Sequence, residues 1–63
     1  MADELLDPDG LAKYLGIPLN TVYQMNSRGT APRRIRVGKH IRYRRTDVDA
    51  WLESRAVGPE PAA

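Results

Sequence analysis

From Arg33 to Arg45 the sequence RRIRVGKHIRYRR places its apolar residues at every second position, whereas on both sides of this stretch they recur every three or four. A chain of 63 residues that changes from helical to strand periodicity and back has room for little except one short hairpin set between helices. The expected fold class is therefore α+β, as one small domain. A chain this short buries only about 60 % of the surface that its unfolded form exposes. With no cysteine and a single histidine, neither disulfides nor a thiolate or His-rich metal site can reinforce it, so the fold must rest on packing or on a partner.

The alternation also predicts the turn. Ile35 and Val37 alternate with Arg34 and Arg36, and Ile41 and Tyr43 alternate with Arg42 and Arg44. A two-residue turn at Gly38 and Lys39 would set Val37 opposite His40 and mix apolar residues with cations on each face. A three-residue turn, Gly38-Lys39-His40, pairs Val37 with Ile41 and Ile35 with Tyr43. It leaves Arg34, Arg36, Arg42 and Arg44 on the other face, and this loop, or a bulge equivalent to it, is the expected arrangement.

Upstream, Leu6-Asp7-Pro8-Asp9-Gly10-Leu11 reads as a helix start. Asp7 can cap, Pro8 suits the first helical position, and Leu6 and Leu11 are spaced as a hydrophobic staple. The first helix is predicted from Pro8 to about Leu15, with Leu11, Tyr14 and Leu15 as its buried stripe and Gly16 as its stop. A second helix begins between Pro18 and Asn20 and ends at Arg28, before Gly29. The short connection Gly16-Ile17-Pro18 makes the pair a helix-turn-helix candidate. Downstream, Thr46 and Asp49 are spaced as a capping box for a third helix reaching about Arg55, with Val48, Trp51 and Leu52 as its apolar stripe and Trp51 expected at the centre of the core. Residues 57–63, Val57 followed by Gly, Pro and Ala around one Glu, are expected to be a disordered tail, which leaves 1–56 as the domain.

Charge is distributed as unevenly as hydropathy. The span from Arg28 to Arg45 holds eight of the ten basic residues, and all eight acids lie outside it. The formal net charge of +2 understates that asymmetry, which suits a surface meeting a polyanion. No run of about 18 apolar residues occurs, and the segment from Met1 to Leu6 is acidic where a signal peptide would be basic, so a cytoplasmic location without membrane contact is expected. The close acid pairs Asp7/Asp9 and Asp47/Asp49 fall at helix starts, where capping and the helix dipole account for them. No phosphate-binding Gly-rich loop, nucleophile elbow or metal-ligand spacing appears, and the expectation is no enzyme, no cofactor, no metal and no small-molecule substrate.

Two constellations remain. On the second helix, Val22 and Met25 should face the core and Asn20, Thr21, Gln24, Ser27 and Arg28 should face out. Asn and Gln can bond adenine, Thr can touch the thymine methyl, and Arg can reach guanine or phosphate. Tyr23 is open between packing at the core edge and offering its hydroxyl to a phosphate. On the hairpin and its approach stand Arg28, Arg33, Arg34, Arg36, Lys39, His40, Arg42, Arg44 and Arg45. A ribbon with a cationic tip can straddle a duplex backbone, with Lys39 or His40 in or over the minor groove and the arginines on phosphates. Arg45, beside Thr46, can instead bond within the domain.

The segments LLDPDGLAKYLGIPLNTVYQMNSRG and PRRIRVGKHIRYRRTDVDAWLESR resemble the excisionase family of small winged helix-turn-helix proteins, related to the MerR-type DNA-binding domain. The resemblance covers roughly Leu5 to Arg55, and it is most specific in Tyr14-Leu15-Gly16, Thr21-Val22-Tyr23, Val37-Gly38-Lys39 and Asp47 through Leu52. It implies a recognition helix in the major groove of double-stranded DNA and a wing at the adjacent minor groove. The family's base- and phosphate-contacting places fall on Asn20, Thr21, Gln24 and Ser27, with the wing contact on Lys39. Three positions depart from the pattern. Pro18 replaces the Ser or Thr that commonly opens the second helix, Gln24 and Ser27 stand where many relatives carry arginine, and Gly10 replaces a frequent glutamate. The implied function is a recombination directionality factor: a protein that binds repeated sites near an attachment site, cooperatively with copies of itself, bends the DNA and lets an integrase excise a prophage or integrated element. The alternatives are a transcriptional regulator of the same fold and a protein-interaction module docking an acidic partner.

Overall fold

The structure, a computed structural model, describes residues 4–58. Its elements run β1 (Leu5–Leu6), α1 (Pro8–Leu15), α2 (Leu19–Arg28), β2 (Ile35–Val37), β3 (His40–Arg44) and α3 (Arg45–Arg55). The three strands form one antiparallel sheet in the order β1-β3-β2. This is a small α+β winged helix-turn-helix, with α1 and α2 as the helical pair and the β2–β3 hairpin as the wing.

The first two helices form where their end signals place them. Asp7 Oδ1 accepts from the Gly10 N–H at 2.6 Å, Pro8 occupies the first helical position, and Leu6 and Leu11 both join the core. Each helix then closes with the same pair of backbone bonds around a left-handed glycine. Ile17 N–H reaches Ala12 O and Gly16 N–H reaches Lys13 O, and Thr30 N–H reaches Met25 O while Gly29 N–H reaches Asn26 O. Gly29, at φ 73°, needs the conformation that a side chain disfavours. Pro18 stands at the start of α2 with no side-chain cap, as its departure from the usual Ser or Thr dictates.

The core consists of Leu11, Ala12, Val22, Tyr43 and Val48, with Leu6, Leu15, Ile17, Leu19, Met25 and Ile41 packed against it. Two expectations change here. Tyr43, 0 % exposed, is the largest fully enclosed side chain, whereas Trp51 is only half-buried. The indole needs a partner for its N–H, and it finds one at the edge of the molecule, where Nε1 donates to the Thr30 carbonyl at 2.9 Å. Arg55 lies over the same ring at 4.5 Å and donates to the same carbonyl. Tyr14, 40 % exposed, also leaves the predicted stripe, and Ala12 takes its place. The Tyr14 hydroxyl donates to Asp49 Oδ1 at 2.5 Å, so Asp49 serves a contact between helices and not a capping box. The residue capping α3 is Arg44, two positions before Thr46, and its own side chain makes no capping hydrogen bond.

β1 was not anticipated. Its two residues pair Leu5 with Arg44 and Leu6 with Tyr43, and the ladder continues into α3 through Arg45 N–H and Glu4 O at 2.9 Å. Val57 and Gly58 follow α3 without regular structure, and the remainder of the expected tail, 59–63, lies outside the described residues. Among the described residues no helix is long and apolar enough to cross a membrane.

Candidate nucleic-acid interface

The hairpin register decides where the cations stand. Ile35 pairs with Arg42, Arg36 with Ile41 and Val37 with His40, so the turn is the two-residue Gly38-Lys39 and not the expected three-residue loop. Gly38 at φ 61° with no other positive φ in the turn fits the two-residue class that takes glycine first. Turn chemistry therefore overrides the apolar parity. Only Ile41 and Tyr43 of the wing reach the core, while Val37 is 54 % exposed on the opposite face.

The four arginines expected on one face are divided as a result. Directly opposed residues of an antiparallel pair share a face, so Arg36 lies on the side of Ile41 and Tyr43, the side on which α1 and α3 pack and from which the Tyr43 hydroxyl reaches Asn26 of α2. Arg34 immediately precedes β2 and is exposed. His40, Arg42 and Arg44 project from the other face, together with Leu5, Ile35 and Val37. Arg42 is half-buried, and its Nη1 donates to the neighbouring Ile41 carbonyl at 2.9 Å. His40 is exposed, and among the described residues no group of metal-ligating side chains surrounds it.

On α2 the division follows the expected helical spacing except at Thr21, which is only partly exposed. Val22 is buried and Met25 half-buried, while Asn20, Gln24, Ser27 and Arg28 are exposed and Thr21 is half-buried. Tyr23, the residue left open, is 53 % exposed and joins Asn20, Gln24 and Ser27 on the outward stripe. The signal that sequence reading missed is Asn26. Four residues after Val22, it lies on the buried stripe, where a polar side chain must find a partner. Asn26 Nδ2 donates to the Tyr43 hydroxyl at 2.7 Å, and that hydroxyl donates to Asn26 Oδ1 at 2.9 Å.

Electrostatically the interface is one-sided. Among the described residues, the ion pairs are Lys13 with Asp9 at 3.2 Å and Arg45 with Glu4 at 3.3 Å, both away from the tip of the wing. Arg45 also lies over the Tyr14 ring at 5.0 Å; Tyr14 first and Glu4 after it raise the affinity of the guanidinium for its proton. It is thus committed within the domain. Arg28, Arg33, Arg34, Arg36, Lys39 and Arg44 are exposed and have no carboxylate partner among the described residues. Such cations can neutralise phosphates while the short polar side chains of the α2 stripe meet base edges.

Residues 5–56 match the model of a family described as a helix-turn-helix domain. No curated protein matches the chain.

Proposed function

The chain belongs to this helix-turn-helix domain family, a DNA-binding fold, and on that footing we propose that it is a non-catalytic excisionase, a recombination directionality factor of the MerR-like winged group. In this reading α2 enters the major groove with Asn20, Thr21, Tyr23, Gln24, Ser27 and Arg28, and the wing follows the backbone toward the minor groove with Arg34, Arg36 and Lys39. The observation that carries it is the outward polar stripe of α2 together with Arg28, Arg33, Arg34, Arg36 and Lys39, which are exposed and have no carboxylate partner among the described residues. Because Gln24 and Ser27 bring no charge, phosphate anchoring falls mainly to the wing and its approach.

A protein of 63 residues covers a short stretch of duplex, so bending requires several copies along repeated sites. Opposed surfaces support such contacts. The outer sheet face presents Leu5, Val37, Arg42 and Arg44, and the exposed side of α3 presents Asp49, Leu52 and Glu53. Gel-shift titration with a circular-permutation bend assay, on DNA from the junctions of the element that carries the gene, tests the proposal. Stepwise cooperative complexes with a bend, and integrase-dependent excision that requires the protein, are expected. One unbent complex over a promoter, without effect on excision, would assign the protein to transcriptional regulation instead.

A further inference from the structure

A recognition helix presents its stripe to base edges at only one rotation about its own axis. Packing fixes that rotation only coarsely. Val22 lies in the core with Leu19 and Met25 packed against it, which sets the face that α2 buries, but apolar contacts resist a small turn about the axis less sharply than a hydrogen bond does. The helix start has no side-chain cap. The reciprocal bonds between Asn26 and the Tyr43 hydroxyl, 2.7 and 2.9 Å, are the only side-chain hydrogen bonds that α2 makes among the described residues. Tyr43 is an immovable partner: it is fully enclosed, it sits in the central strand of the sheet, and it pairs across to Leu6 of β1.

The leverage of this contact follows from helix dimensions. Side-chain heads lie about 5–6 Å from the helix axis, so a rotation of about 10° carries them by about 1 Å. A hydrogen bond to a base edge tolerates a range of only about 0.5 Å. We propose that Asn26 and the Tyr43 hydroxyl are positioning residues for sequence discrimination: they lock the rotation of α2 to the strand that carries the wing, so that base-reading side chains and backbone-gripping cations reach one duplex together. The inference rests on the DNA-binding reading of α2 given above.

The test separates positioning from plain stability. Asn26→Leu alone leaves an enclosed hydroxyl unpaired and lowers both stability and discrimination. Combining Asn26→Leu with Tyr43→Phe removes both polar partners, which restores stability because no buried group is left unsatisfied. Thermal midpoints are measured beside affinities for two duplexes, one selected from a random pool with the wild-type protein and one scrambled. The double variant should melt close to wild type and bind the scrambled duplex as well as wild type does, yet prefer the selected duplex about tenfold less. Tyr43→Phe alone, which keeps the ring and lets the half-buried Asn26 turn to water, should lose the same preference and serves if the double variant does not fold. A wild-type preference in a folded variant overturns the proposal. A wild-type protein that enriches no duplex from the pool refutes the DNA reading itself, and does so at the selection step.

Discussion

Replacing Arg36 by alanine probes the wing register and the charge argument at once. Five exposed cations on α2, the approach to the wing, β2 and the wing tip, Arg28, Arg33, Arg34, Arg36 and Lys39, lack a carboxylate partner among the described residues. If each meets one phosphate, the slope of log affinity against log salt is about −4.5, and a rise from 50 to 200 mM salt weakens binding about 500-fold. Arg36→Ala removes one contact, which brings the slope to about −3.6 and the loss over the same range to about 150-fold. Lys13→Ala is the matched control, because Lys13 already pairs with Asp9 on α1 and should leave the slope unchanged. Arg42→Ala should change the slope by less than Arg36→Ala, since Arg42 is half-buried on the face away from α2 and bonds its own backbone. Fluorescence anisotropy on a labelled duplex, titrated at four or more salt concentrations, measures all four slopes. An unchanged slope for Arg36→Ala, or a drop for Lys13→Ala as large as that for Arg36→Ala, would refute the assignment of the phosphate-facing side.

Other expectations follow from the same structure. Gln24→Ala should cost roughly 1–3 kcal/mol on the selected duplex and nothing on a scrambled one, because Gln24 stands on the outward stripe of α2; equal losses on both would remove it from base reading. Gly38→Ala should destabilise the domain by about 1–2 kcal/mol in urea unfolding, a backbone effect alone, since φ is 61° and no atom crowds the site. Leu11→Ala should cost about 2–5 kcal/mol, a large share of the roughly 3–9 kcal/mol expected for a chain of this size, and should lower the urea midpoint steeply. Trp51→Phe gives up the bond to the Thr30 carbonyl and should cost only about 1 kcal/mol by thermal melting; loss of the fold would return Trp51 to the centre of the core.

The parts of this fold that were legible in the sequence are those fixed by neighbours in the chain. Asp7, Pro8, Gly16 and Gly29 mark helix ends through backbone bonds spanning only a few residues, so α1 and α2 could be placed within a residue or so. The wing register was misread because the parity argument assumed that both strands must feed the core. In the structure α1, α2 and α3 supply most of it, β3 adds Ile41 and Tyr43, and the exposed Val37 of β2 is free to follow the turn. β1 has two residues, too few for any period to show. Trp51 was overvalued by its size, with no weight given to the N–H it must satisfy. Asn26 was overlooked although its spacing from Val22 placed a polar group on an apolar stripe. The outward residues of α2 were legible because helical spacing separates them from Val22 and Met25 without reference to anything distant.

The central claim is that α2 and the wing grip one double-stranded site together, and hydroxyl-radical footprinting on a duplex selected from a random pool tests it most directly. The account predicts protected sugars flanking a single major groove and continuing into the adjacent minor groove, with the minor-groove protection lost in Lys39→Ala. Protection confined to one groove and unaffected by Lys39→Ala, or a pool from which no sequence is enriched, would contradict it.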